Sequence, residues 1–120
     1  MENNLFPNEV TLHKQSKTLE LAYGEDHYHL SAEYLRVYSP SAEVRGHAAG
    51  QEVLQTNKEQ VAINQIEATG NYALKIYFDD GHDSGLFTWD YLHQLATQYD
   101  AHWQDYLDRL EKAGYQRQSN

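Results

Sequence analysis

Cysteine is absent from all 120 residues, which excludes disulfides, thiolate metal sites and cysteine nucleophiles. Basic residues are the next scarcity. Nine Lys and Arg stand against eighteen Asp and Glu, leaving a net charge of −9, and the nine are scattered with no cluster of three. Binding a phosphate backbone or an anionic lipid surface relies on Lys and Arg displacing counterions, so neither nucleic acid nor membrane is an expected partner. No apolar run approaches the roughly 18 residues that a spanning helix needs. The first apolar residues, Leu5 and Phe6, sit among Glu2, Asn3 and Asn4 and run into Pro7, unlike a signal peptide. The expected location is the cytoplasm. Reactive motifs are missing too: there is no Gly-rich phosphate loop, no G-x-S-x-G elbow and no H-E-x-x-H. Ser39 and Ser41 flank Pro40 and read as turn residues. The chain is therefore not expected to be an enzyme.

What is present fits one domain, since two halves of this length would be too small for separate cores. Val10 and Leu12, then Leu19 and Leu21, alternate with polar neighbours around a turn at Lys14 to Lys17, which predicts a first hairpin. Gly24-Glu25-Asp26 turns into a segment where Tyr28 and Leu30 face one way and His27 and His29 the other. Ser31 is placed to cap a short helix from Ala32 to about Tyr38, which Pro40 cannot prolong. Residues 39–59 look irregular, and such stretches are usually functional or mobile. Val61, Ile63 and Ile66 lead to a Gly70-Asn71 turn and to Tyr72, Leu74, Ile76 and Phe78, the cleanest period of two in the chain. Asp80-Gly81 then predicts a two-residue turn with positive φ at both positions and a return strand from Asp83 to Thr88. Two helices close the chain. The first is capped by Thr88 and buries Leu92, Leu95, Ala96 and Tyr99. The second is capped by Asp100, buries Trp103, Tyr106, Leu107 and Leu110, and stops at Gly114. The fold class is α+β: antiparallel β-hairpins, a short helix after the first strands, and two C-terminal helices packed on the sheet.

Seven histidines raise the question of metal. His27 and His29 lie two apart on one strand face, but no third ligand accompanies them in sequence, and a solvent-facing stripe is the plainer reading. His93 and His102 have polar neighbours and are expected at the surface. His82 differs, because Asp79, Asp80 and Asp83 surround it; adjacent carboxylates favour the imidazolium and can hold the ring in one tautomer. Its plainer alternative is local packing beside a turn. His47 follows Gly46 in the irregular segment, near Glu43 and Arg45. If that segment folds over the Asp-Gly-His loop, His47 and His82 with Glu43 or Asp83 would form an N/O site suited to zinc or iron.

The run Leu35-Arg36-Val37-Tyr38-Ser39-Pro40-Ser41-Ala42-Glu43-Val44-Arg45-Gly46-His47, then Gly70-Asn71-Tyr72-Ala73, Phe78-Asp79-Asp80-Gly81-His82-Asp83-Ser84-Gly85 and Trp89, resembles the small bacterial proteins of the domain of unknown function 971 family. That family is similar to the N-terminal domain of γ-butyrobetaine and trimethyllysine hydroxylases. The resemblance implies a γ-butyrobetaine hydroxylase-like N-terminal domain over residues 7–116, between a disordered stretch at 1–6 and a tail at 117–120. In those hydroxylases a separate double-stranded β-helix carries the iron and the 2-oxoglutarate chemistry; this chain is expected to end where that domain would begin. In those hydroxylases the N-terminal domain holds a structural zinc with three cysteines and a histidine and assists dimer formation. The histidine matches His82, and the cysteines fall near Ser39, Ser41 and Val44, which carry no thiolate. A similar domain is joined to some P-loop iron–sulfur carrier ATPases. The expectation is thus a binding or adaptor module near iron–sulfur or metal metabolism. Arg36, Glu43, His47 and Asp80 are its binding residues, and a protein partner or a second copy is its partner. No cofactor is required; a metal-binding module using His82 and His47 with zinc or iron, or an accessory subunit of a 2-oxoglutarate oxygenase, is the alternative.

Overall fold

The computed structural model describes residues 6–41, 44 and 53–117. Two antiparallel three-stranded sheets form, each ordered as in sequence. The first contains β1 (Glu9–His13), β2 (Thr18–Tyr23) and β3 (Asp26–Ser31), with Leu12 opposite Leu19 and Leu19 opposite Leu30. A six-residue helix, α1 (Ala32–Val37), follows directly, because the Ser31 hydroxyl accepts from the Tyr34 N–H at 3.0 Å and satisfies an orphan donor of the first turn. The second sheet contains β4 (Ile63–Thr69), β5 (Ala73–Phe78) and β6 (Leu86–Thr88). Thr88 caps α2 (Trp89–Thr97), accepting from the Tyr91 N–H at 3.2 Å, and α3 (Tyr99–Lys112) completes the α+β arrangement. Among the described residues no helix is long and apolar enough to cross a membrane.

Alternation places Leu19, Leu21 and Leu30 from one sheet and Leu74, Ile76 and Phe78 from the other in one core, closed by Leu35 of α1 and Leu92 and Leu95 of α2. Each such side chain, fully buried, contributes about 1.5–3 kcal/mol relative to exposure. A satellite cluster of Val37, Tyr106 and Leu110 joins α3 to α1. Tyrosine hydroxyls tie these layers together. Tyr34 donates to the Leu95 carbonyl at 2.8 Å, Tyr38 to that of His102 at 2.7 Å, and Tyr106 to that of Gln55 at 2.7 Å.

Three local expectations change. Only Gly81 of the Asp80-Gly81 pair has positive φ (89°); its N–H donates to the Phe78 carbonyl and the Phe78 N–H donates to the His82 carbonyl, so a three-residue turn over Asp79-Asp80-Gly81 replaces the expected two-residue one, and β6 is confined to Leu86–Thr88. Both aspartates also bond outside the turn: Asp79 exchanges hydrogen bonds with the backbone of Ala62, and Asp80 reaches α1, while residues 83–85 continue without regular strand pairing to β6. Tyr72, expected on the inward row, is 54% exposed and precedes β5. Asp100 does not cap α3; Gln98 serves both α2 and α3, its N–H donating to Gln94 and its carbonyl accepting from His102. Asp100 lies instead within the first turn, where a negative charge suits the helix dipole. Arg117, at the start of the expected tail, pairs with the buried Glu33 of α1.

Burial raises the hydroxyl pKa of Tyr34, Tyr106 and Tyr23, the last to about 12. In the unfolded chain each ionises near about 10. Their contribution to stability is therefore complete below that pH and is lost as the pH rises toward the folded-state values. A titration followed at 295 nm and by circular dichroism should show the exposed tyrosines ionising first and the remainder only as ellipticity collapses. Ionisation of all ten near pH 10 with ellipticity unchanged would contradict this.

Candidate functional site

Arg36 lies in the last turn of α1 with its side chain only 9% exposed, and a guanidinium so placed must be paired to repay its lost hydration. Its Nε donates to Asp80 Oδ2 at 2.9 Å and its Nη1 to Gln55 Oε1 at 3.2 Å. Lys58 Nζ donates to the same Asp80 oxygen at 3.1 Å, and the backbone N–H of His82 donates to the other, Oδ1, at 3.2 Å. Partial burial opposes charge on the Asp80 carboxylate, but Lys58, the His82 N–H and Arg36 together outweigh it and hold its pKa below the ordinary value. Asp80 thus fastens the loop after β5 to the end of α1.

The same loop carries His82 inward. Its ring is buried, with Nε2 2.9 Å from Ser39 Oγ and 3.3 Å from Ser41 Oγ. Ser39 and Ser41 are buried as well. The chain after α1 passes so close to the loop that a Cβ on Gly85 would lie 2.5 Å from Ser39 Oγ, 3.0 Å from Pro40 Cδ and 3.2 Å from the Ser41 nitrogen. Only glycine fits there without displacement. These contacts form a latch between the loop and residues 39–41.

Of the residues expected from sequence, Arg36, Asp80 and His82 are brought together. Glu43 and His47 lie outside the described residues, so a site joining His47 to His82 is not described. Asp80 Oδ1 accepts from the His82 backbone N–H, and the hydroxyls of Ser39 and Ser41 face the ring's Nε2. Ser39 and Ser41 stand where the resemblance puts zinc-binding cysteines. The described donors there are one imidazole nitrogen and two hydroxyls, and buried Val44 offers none. Neutral hydroxyls are poor zinc ligands beside thiolates, so this donor set does not fit the tetrahedral structural zinc of the hydroxylases. Gln55 and Lys58 were missed, and no local pattern in their segment signals a contact with α1.

Two further features surround the latch. A groove of about 240 Å³ runs beside Ser39, walled by Tyr38, Val53 and Tyr91 and bordered by Gln94, His102 and Arg109. His102 Nε2 is buried without a hydrogen-bond partner among the described residues. On the first sheet's open face, Glu20 of β2 receives His13 at 2.7 Å and also contacts His27 and His29. Hydrogen bonds from His13 and His27 hold the Glu20 pKa down to about 2.

A short helix clamped by buried polar groups to the loop of an antiparallel sheet, with two helices behind, defines a small α+β domain class. Residues 10–93 match the family described as gamma-butyrobetaine hydroxylase-like, N-terminal, and the chain belongs to that family. A solution NMR structure 58% identical covers 96% of this chain and 91% of its own, with a TM-score of 0.83. A second, 46% identical, covers 92% of this chain and 83% of its own, with a TM-score of 0.76. A crystal structure from Acidithiobacillus ferrooxidans ATCC 23270, of a protein with unknown function in the DUF971 family, is 29% identical; it covers 80% of this chain and 98% of its own, with a TM-score of 0.65. Among curated proteins none matches the chain.

The latch yields two tests. Gly85→Ala should destabilise the fold by about 1–3 kcal/mol through overpacking, and Ser39→Ala in the same chain should recover part of that loss in urea denaturation. Asp80→Asn should cost about 1.5–3 kcal/mol at neutral pH by weakening a hydrogen bond to a buried cation. A carboxylate with a depressed folded-state pKa stabilises above its unfolded pKa and loses that contribution as pH falls through the folded value. The stabilities of the wild type and Asp80→Asn should therefore converge in acid, which denaturation at a series of pH values measures.

Proposed function

We propose that the chain is a non-catalytic adaptor that captures a protein partner in the groove beside the Ser39–His82 latch. The observation carrying this reading is the composition of that groove. Aromatic and aliphatic walls from Tyr38, Tyr91 and Val53 offer apolar contact, while Gln94 and Arg109 offer polar contacts that fix direction. Val53 is 51% exposed, an apolar side chain left in solvent at the groove's edge. Tyr91 and Tyr38 are pre-positioned: the Tyr91 hydroxyl donates to the Tyr38 carbonyl at 2.6 Å, so little side-chain freedom remains to be lost on association. The pairing of Arg36 with Asp80, and of His82 with the two serines, supports a structural use of those groups over a reactive one.

The partner envisaged is a protein of iron–sulfur or metal metabolism. That choice is supported by the resemblance to domains joined to P-loop iron–sulfur carrier ATPases; lacking cysteine, the chain would contribute contact and not cluster ligands. Co-purification from the native host with mass spectrometry should recover one dominant partner with the wild type. Val53→Asp should reduce its recovery at least tenfold with stability changed by less than about 0.5 kcal/mol, as expected of an exposed position. Equal recovery by wild type and Val53→Asp would sink the groove as the contact surface. Turnover of 2-oxoglutarate by the isolated chain would sink the non-catalytic reading.

A further inference from the structure

The open face of the first sheet gathers more imidazole than sheet stability explains. Glu20 sits on the central strand β2, with His29 directly opposite on β3 and Thr11 directly opposite on β1. His13 and His27 lie two residues along from those partners, the diagonal positions that long side chains still reach. The neighbours could have pointed away into solvent, since the histidine side chains are 40–55% exposed. They converge instead. His13 Nε2 lies 2.7 Å and His29 Nε2 3.4 Å from the same oxygen, Glu20 Oε1, and these three donor atoms all fall within 4.8 Å of one another. His27 Nδ1 addresses the other oxygen, Oε2. The rings of His13 and His29 lie 5.8 Å apart, flanking the carboxylate.

We propose that His13, Glu20 and His29 form a binding site for a divalent first-row transition ion such as zinc, with His27 orienting the carboxylate. The donor spacing is what such an ion requires. Metal–ligand bonds of about 2.0–2.1 Å at a tetrahedral centre set neighbouring donors roughly 3.3 Å apart, and the two distances to Glu20 Oε1 bracket that separation. Small rotations of exposed rings suffice to admit the ion where hydrogen bonds now converge. Two imidazoles and a carboxylate suit zinc, cobalt, nickel or copper better than calcium or magnesium, which take oxygen donors. His27 on the second oxygen is the kind of outer partner that fixes a ligating carboxylate. Because one side of the site is solvent, its remaining coordination positions belong to water, and the ion exchanges with solution. The proposal is independent of the groove and of the His82 latch, and uses other residues.

The test uses the full chain without an affinity tag, titrated with cobalt(II) followed by visible absorption and with zinc(II) by calorimetry. One equivalent should bind. His29→Ala and Glu20→Gln should each weaken binding at least tenfold, His27→Ala by less, and His82→Ala by less than twofold. Circular dichroism should report the same fold for the three substitutions on the sheet face. In NMR spectra of the wild type, zinc should shift the ring resonances of His13 and His29 before those of His93 or His102, a readout that needs no variant. Absence of saturable binding up to 1 mM zinc, unchanged binding in His29→Ala, or loss of binding in His82→Ala with the sheet histidine resonances unmoved would overturn the assignment.

Discussion

A guanidinium taken out of water governs much of this fold. Arg36 is delivered to the interior by α1, and the cost of stripping its hydration is offset only where a carboxylate meets it. Asp80 answers that need from a loop forty-four positions downstream, and Lys58 and Gln55 add their own contacts from the intervening segment. This pairing fastens the turn after β5 to the end of α1, where the same loop places His82 beside the two serines. The charge pair thus acts chiefly as a device for shape.

The elements were largely legible because their patterns are local. Ser31 and Thr88 each cap the helix that follows, and the alternation of Leu74, Ile76 and Phe78 does bury one row. Legibility ended where a side chain chose a distant partner over a near one. Asp-Gly does mark a turn, though a three-residue one, and what no local pattern shows is that the Asp80 carboxylate reaches beyond it to a buried arginine. Asp100 likewise had the chemistry of a cap, but Gln98 joins α2 to α3 with so little interruption that the capping position is already occupied. Arg36, Asp80 and His82 were identifiable as a set through the family resemblance, whereas the contributions of Lys58 and Gln55 depend on chain geometry that no local pattern encodes.

The histidines illustrate the same limit from the other side. His27 and His29 are visible as a pair, two apart on a strand, with no third ligand near them in sequence. The companions lie across the sheet, on β1 and β2, where register and not spacing brings His13 and Glu20 beside them. His82, by contrast, stood out through its acidic neighbours, yet its ring nitrogen meets hydroxyls. Neighbours in sequence and neighbours in space are poorly correlated for side chains on strands and loops.

Hydroxyls where the resemblance puts thiolates change how the junction after α1 responds to its surroundings. Sulfur ligands can be oxidised stepwise, alkylated, or stripped of their ion by a chelator, and the geometry they hold fails with them. The contacts of Ser39, Ser41 and His82 offer none of those handles. Their persistence under peroxide or metal starvation rests on packing and hydrogen bonds, neither of which depends on a thiol or a bound ion.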